Sequence, residues 1–579
     1  MAAWLVALVG ESSTSPSIAL LDREASRRWE DKREAVLAWE DSPRLSDYEV
    51  GIREYAKRQK QGQKGTGGML KASWSDFRVV EVSADTMRPV QLSQASHPGP
   101  QPPGHGYLKF VMAKIGYDTI SAVGRMCTWL DIPRDAVAFA GIKDKSAVTC
   151  QALTIDCRST EVDVHRLRNI SKWIPRLMVG QFEWTRDRLA THAGNYFTVL
   201  LRDIDDEGAR RAKKRVKSVC RRGFINYYGH QRFGLAMRSS MPTIEVGKAL
   251  LLGKWDDAVA LVMSTKFVSH PAELAAKHGF SESWVHTNHQ PMHVRREQIR
   301  RMAAEALAKM PAHCFGEISM LRALSENKTA RQCLFAMPHR AMYMLAYWSA
   351  LWNRIASRRI QVFGARHAVE GDLVCPVPGG TVYGAADGSM NVTIVTKANA
   401  KRRKYGIHDV VLPLPGRDVE LVLPKNAVGC YIVNLLKKEG VHDLVCGVGA
   451  GQAPPRRPPP HGRQCLFRHM VAVPDSLEHA LLPYTHDDEL IVCDDPHGGR
   501  FASLAPPRLP PLLACRPSPS ACKGKRRHGE GDKARQQSAT RTSEETTKTN
   551  KKAPAPAFPE GPEGANGRWA LQLRFGLVK

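Results

Sequence analysis

The sequence predicts an α+β protein of two packed domains with poorly ordered segments attached, on three observations. The chain has 579 residues, 43% of them apolar, more than one compact core organises. Strand-like segments recur between Leu70 and Arg202, with helical patterns at Asp118–Leu130 and after Asp205. From 235 to about 430 helical and extended patterns alternate with ordinary globular composition.

Taken in order, residues 1–68 are polar and charged, with a helical pattern over Arg23–Trp39 and a Gly/Lys/Gln run over Lys57–Gly68, and read as an N-terminal arm. Leu70–Val82 carries Phe77, Val79 and Val82 between charges and reads as a strand pair at a sheet edge. After the Pro/Gly-rich gap Pro98–Gly106 come a strand, Tyr107–Lys114, and a helix, Asp118–Leu130, with Asp118 as cap and Asp131-Ile-Pro as stop. Val137–Ala140 and Ala147–Ile155 read as strands flanking the polar turn Gly141–Ser146. The strand Tyr196–Arg202 leads into a helix whose first turn holds Asp205, Asp206 and Glu207, which suits the helix dipole. Arg210, Arg211, Lys213, Lys214, Arg215 and Lys217 follow; such a face reads either as an RNA-binding surface or as a solvated one. The longest helix is expected over Arg340–Ile360, where Met344, Tyr347, Trp348, Leu351 and Ile355 recur at near-helical spacing. Gly447–Gly462 is Gly/Pro/Arg-rich, residues 506–567 are a Pro/Lys/Ser/Thr/Ala tract expected to be disordered, and a strand closes the chain within 568–579.

Composition narrows the function. Lys and Arg outnumber Asp and Glu by 84 to 57, a formal +27, which points to a polyanionic partner and nucleic acid first. No apolar run approaches the roughly 20 residues of a membrane-spanning helix. Met1–Gly10 is apolar but lacks a basic flank, so secretion is not expected. The 13 cysteines form no CxxC pair, which argues against a zinc ribbon or a disulfide framework and fits a reducing compartment. HExxH and Walker-type signals are absent, and Cys446-Gly-Val-Gly-Ala-Gly-Gln452 runs into Pro454-Pro455 instead of a helix, which rules out a dinucleotide loop.

The chemistry is concentrated in Phe139-Ala140-Gly141-Ile142-Lys143-Asp144-Lys145-Ser146-Ala147-Val148-Thr149-Cys150-Gln151. Read by itself, it is strand, tight turn and strand, with Lys143-Asp144-Lys145 at the tip. Flanking cations favour the charged form of a carboxylate. The same tip also reads as a solvated hairpin end.

This segment resembles the signature motif of the TruD family of pseudouridine synthases, and further matches follow in the family's order. Leu70-Lys71-Ala72 and Asp76-Phe77-Arg78-Val79-Val80-Glu81 resemble its opening strand motif, and Gly194-Asn195-Tyr196-Phe197 its Gly-Asn-x-Phe motif. Asn226-Tyr227-Tyr228-Gly229-His230-Gln231-Arg232-Phe233-Gly234 is similar to another, with Tyr228 where Phe is usual. Pro338-His339-Arg340, Tyr347-Trp348-Ser349 with Asn353, Gly371-Asp372-Leu373-Val374 and Leu412-Pro413-Leu414-Pro415-Gly416 resemble its insertion domain.

The resemblance implies a discontinuous catalytic domain with a mixed sheet, its first part at 69–234, a diverged remnant at 446–505 and a final strand at 568–579. An α/β insertion domain, 235–445, would lie across a basic cleft. It implies an isomerase acting on RNA, tRNA first and other structured RNA next, as a monomer and with neither metal nor organic cofactor. Asp144 would be the catalytic carboxylate and Lys71 its basic partner. Phe197 would stack on a flipped uracil or pack in the core; Asn195 would bond near the site or hold the turn after Gly194. Arg232, with Gln231, would shape the pocket, bind phosphate or form a structural ion pair. The nucleus and the cytoplasm are the expected compartments, with organelles left open; Lys523–Arg527 reads as a nuclear signal or as lysine-rich disorder. The likeness fades after Asn434, and the family's closing motif does not follow the strand Trp569–Leu577. A catalytically impaired RNA-binding protein of the same fold is therefore the alternative expectation.

Overall fold

The computed structural model describes residues 46–54, 66–233, 242–446, 464–483 and 569–578, apart from short gaps within these spans. The helical pattern of Arg23–Trp39, most of Lys57–Gly68, Gly447–Gly462, the 506–567 tract and Lys523–Arg527 lie outside the described residues.

The first domain opens with β1 (Met69–Leu70), β2 (Phe77–Val82), β3 (Tyr107–Ile115), helix α1 (Thr119–Leu130), β4 (Val137–Phe139), β5 (Val148–Asp156), α2 (Val164–Arg168), β6 (Leu177–Thr185), β7 (Gly194–Ile204), α3 (Asp206–Arg222) and β8 (Phe224–Ile225). The second begins with a run of helices, α4 (Thr243–Leu251), α5 (Trp255–Val262), α6 (Pro271–Thr287), α7 (Met292–Lys309), α8 (Phe315–Ser325), α9 (Ala330–Ala336) and α10 (Arg340–Phe363). It continues with β9 (Leu373–Val374), β10 (Thr381–Tyr383), β11 (Thr393–Ile394), α11 (Lys397–Lys401), β12 (Val410–Pro413), β13 (Val419–Glu420), α12 (Ala427–Glu439), α13 (His442–Cys446) and β14 (Gln464–His469). The chain then returns through β15 (Val471–Ala472), β16 (Asp475–Pro483) and β17 (Trp569–Val578).

The main sheet has the order β16-β17-β7-β2-β5-β3-β6, with β1 on β7 and β4 on β5. β2 and β5 run parallel and the other pairs antiparallel, so the sheet is mixed. Its period-two pattern sets the core: Leu108, Phe110 and Met112 share one fully buried face of β3 and pack with Leu153 and Ile155 against Ala122, Met126 and Cys127 of α1. Asp118 caps α1 by accepting from the Ser121 N–H at 2.8 Å, a contact worth about 1 kcal/mol. The helix ends at Leu130 with Asp131 in the left-handed region as its cap, at the predicted stop.

β17 lies inside the sheet, between β7 and β16. Asp205 caps α3, whose buried side, Ala209, Ala212 and Val216, packs on Ile204, Leu481 and Leu571. A buried two-pronged ion pair, Arg202 to Asp76 at 2.8 and 2.9 Å, ties β7 to the start of β2; removing one partner of such a pair costs about 3–5 kcal/mol.

In the second domain the expected alternation begins only after residue 363, because the apolar residues of α4–α9 recur at helical spacing and close on each other around Phe280, Trp284 and Met320. Lys277, fully buried among them, bridges Glu273 at 2.9 Å and Glu317 at 3.0 Å. The long helix α10 runs three residues beyond the expected end and lays Trp352 and Ile355 on a second sheet of order β10-β14-β12-β9-β11, with β13 on β14. The stretch 446–505, expected as one catalytic remnant, is therefore divided: β14 joins the second sheet and β16 the first.

Two chain crossings join the domains side by side. β8 pairs with β15, Ile225 opposite Val471 and Phe224 opposite Ala472, and the Asn226 side chain bonds both His469 O and Arg468. Gly223 makes this approach possible, since it has φ +69° and a Cβ there would lie 2.3 Å from Ala472 O. Residues 46–54, within the predicted arm, dock on α10: Asn353, fully buried, bonds Val50 O, Tyr228 O and the Tyr228 N–H.

Candidate active site

The loop between β4 and β5 brings Asp144 to the surface of the first domain. Gly141, at φ +87°, starts the turn. A relay then closes it: the Lys143 N–H donates to Thr119 Oγ1 at 2.9 Å, Thr119 donates to Gln151 Oε1 at 2.8 Å, and Gln151 donates to Gly141 O at 3.4 Å. Beneath the turn sits Lys114 Nζ, 3.0 Å from Asp144 O, 3.4 Å from Lys143 O and 2.8 Å from Tyr117 O. The Lys114 side chain is fully buried, and burial pushes its ammonium down to about 8, with Asp118 and Asp144 opposing that shift and Lys143 adding to it.

The three charged side chains at the tip diverge. Lys143 turns inward, reaching Glu81 at 3.0 Å and Asn195 Oδ1 at 2.7 Å, while Glu81 also accepts from the Ala152 N–H. Lys145 is exposed. Lys71 faces the Asp144 carboxylate, with Nζ 3.2 Å from Oδ2.

Lys71 has φ +58°, a left-handed conformation uncommon outside glycine, and this bend between β1 and β2 aims it at Asp144. Its ammonium also lies 4.0 Å from the centroid of the Phe77 ring. Phe77 meets Phe197 edge-on at 6.1 Å, and Phe197 stacks on Phe575 at 5.3 Å. A partly exposed carboxylate, an ammonium and a three-ring aromatic cluster thus adjoin, with Asn195 two residues from Phe197 on the same strand.

Of the residues singled out in the sequence, Asp144 and Lys71 meet directly, and Asn195 and Phe197 join the group through Lys143 and Phe77. Arg232 sits elsewhere, at the domain junction, 5.3 Å from the Tyr228 ring, which Arg468 also covers at 4.2 Å. The side chain of Gln231 lies outside the described residues. Sequence reasoning missed Lys114, the role of Glu81, and Phe575. A signal for Lys114 existed: it is the next step of the series Leu108, Phe110, Met112, a lysine where the period demands a buried side chain.

A family model described as "tRNA pseudouridine synthase D (TruD)" matches residues 49–444. The chain is 31% identical over 330 residues to "Pseudouridylate synthase 7 homolog" of Mus musculus, covering 56% of this chain and 44% of that one. It is 28% identical over 417 residues to "Multisubstrate pseudouridine synthase 7" of Schizosaccharomyces pombe, covering 68% and 56%. The chain spans about half the length of these curated relatives. A crystal structure from Methanosarcina mazei, described as "Putative tRNA pseudouridine synthase D (TruD)", has the same fold, with a TM-score of 0.51 at 18% identity over 93% of this chain and 95% of that one.

Proposed function

The chain belongs to the TruD family of pseudouridine synthases, and we propose that it isomerises uridine to pseudouridine in RNA with Asp144 as the catalytic carboxylate. The observation that carries this reading is the Asp144 carboxylate itself, partly exposed, 3.2 Å from Lys71 and adjoining the Phe77–Phe197 rings. Isomerisation breaks the bond from N1 to C1′, turns the freed uracil and joins C5 to C1′; C5 gives up its proton and N1 gains one. A carboxylate at the sugar serves either as nucleophile at C1′ or as base at C2′. Lys71 supplies the opposite charge that holds it in place. Phe197, backed by Phe575 on one face, offers the other to a base taken out of its stack. The Asn195 oxygen is taken by Lys143, which leaves its amide nitrogen to donate to a uracil carbonyl.

RNA recognition rests on α3 and the junction. Arg210, Lys214, Lys217 and Arg221, spaced four, three and four residues apart, are all exposed and form one stripe about 16 Å long at the helical rise. Helix α3 packs on Leu571 and Leu573, and strand alternation puts Phe575 and its partner Phe197 on that same face of the sheet. The stripe therefore runs along the side from which the aromatic cluster is reached. In this reading Arg232 contacts a phosphate at the domain junction, the first substrate is tRNA, and the protein acts as a monomer in the nucleus and the cytoplasm.

The test is Asp144→Asn with RNA tritiated at uracil C5. Tritium release falls to background while RNA affinity stays within several-fold of wild type. Release at near wild-type rate removes Asp144 from the reaction.

A further inference from the structure

We propose that Lys114 is a positioning residue of this reaction, one that fixes the Asp144 turn from beneath by bonding its main chain. The proposal rests on the pseudouridine synthase reading above. Lys114 does not touch the space a substrate would occupy: its side chain is fully buried under the turn. What it touches is the carbonyl of Asp144 itself, that of Lys143, and that of Tyr117.

The stoichiometry of these bonds favours the charged form. An ammonium has three N–H donors, and three carbonyl oxygens lie at 2.8, 3.0 and 3.4 Å. A neutral amine has two, and would leave one buried carbonyl without its donor. The same ammonium attracts the Asp144 carboxylate electrostatically, in addition to the ion pair that the carboxylate makes with Lys71. The charged groups facing Lys114 are Asp118 on the approach to α1, and Asp144 and Lys143 on the turn. Its strand partners, Thr149 on β5 and Leu177 on β6, carry no charge.

Two consequences separate positioning from general support of the fold. A turn that has lost its anchor misplaces the carboxylate, and a displacement of about 1 Å costs on the order of 100-fold in rate; RNA contacts made by α3 and the junction are unaffected. The loss is therefore in kcat and not in KM. Deprotonation of Lys114 has the same effect in the unaltered protein, so kcat falls as pH rises past about 8, where burial has moved this group.

The experiment uses the full chain as wild type, Lys114→Met, Lys114→Arg and Asp144→Asn. It measures C5 tritium release for kcat and KM, RNA affinity, and thermal unfolding. Lys114→Met is expected to lower kcat about 100-fold with KM and RNA affinity within three-fold, and Lys114→Arg to regain part of that loss without the alkaline limb. Wild type alone is expected to lose kcat above pH 8 at constant KM, which covers the case in which neither variant folds. A folded Lys114→Met protein with kcat within three-fold of wild type overturns the proposal, as does a wild-type kcat that is flat to pH 9.5. A wild type that releases no tritium from any cellular RNA overturns the enzymatic reading, and this proposal with it.

Discussion

Phe575 stacks on Phe197 with ring centroids 5.3 Å apart and planes 21° apart, so the last strand of the chain forms the back wall of the candidate site. The pairing register places these two residues opposite each other on β17 and β7. The aromatic surface of the candidate site is thus assembled from two segments that meet only when the sheet is complete.

Phe197→Leu and Phe575→Leu should each lower turnover roughly 5- to 150-fold, the loss of about 1–3 kcal/mol of base stacking. Leucine keeps most of the apolar bulk, and Phe197 is only half-buried, so the melting temperature should move by a few degrees at most. Turnover and thermal unfolding measured together decide the matter; losses of equal size in both would assign the rings to packing.

Lys114 gives the fold a pH signature of the opposite sign to its effect on rate. Its folded-state value of about 8 lies below the ordinary 10.5, so between these pH values the unfolded chain holds a proton that the native one has shed. Stability from this group therefore rises with pH across that window and is level below it. Lys114→Met should lack this rise, and the gap in melting temperature between wild type and variant should widen from pH 7.5 to pH 9.5. A constant gap contradicts it.

Replacing Arg210, Lys214, Lys217 and Arg221 together by Gln should flatten the dependence of log K on log salt for RNA binding by about 3, the share of four phosphate contacts. All four are exposed, so thermal unfolding should be unchanged. Binding isotherms at several salt concentrations test this; an unaltered slope makes the stripe a solvated face.

Pro483 and Trp569 are cross-strand partners in β16 and β17, so the ends of the 484–568 connection already lie side by side. A four-residue Asn/Gly turn in its place should keep or raise the melting temperature, because the shorter loop saves on the order of 2 kcal/mol of closure entropy. The salt slope of RNA binding should also flatten as the lysines of 506–567 go. A large loss of melting temperature would mean that the connection packs on the domain.

Local features were legible in the sequence to within a residue or two. Asp118 as cap and the stop at Asp131 are set by neighbours in the chain, and so could be read from them; the turn around Asp144 was visible too, but what closes it, Thr119 and Lys114, lies far off in the chain. What could not be read depends on partners far apart. Nothing near Gln464–His469 says that it pairs with β10 and β12, and nothing near Phe575 says that Phe197 lies opposite. Lys143 illustrates the limit within one tripeptide: its charge was visible beside Asp144, but its direction is set by Glu81 and Asn195 on two other strands.

The paired crossings β8 and β15 gather both passages of the chain between the two sheets at one place, Ile225 opposite Val471 and Phe224 opposite Ala472. Asp144, Lys71, Lys114 and Phe197 make their contacts with one another within the first domain, on one side of that crossing. A change that splits the crossing, such as a side chain at Gly223 where a Cβ would meet Ala472 O, would therefore part the strands without touching any contact of the Lys71–Asp144 pair.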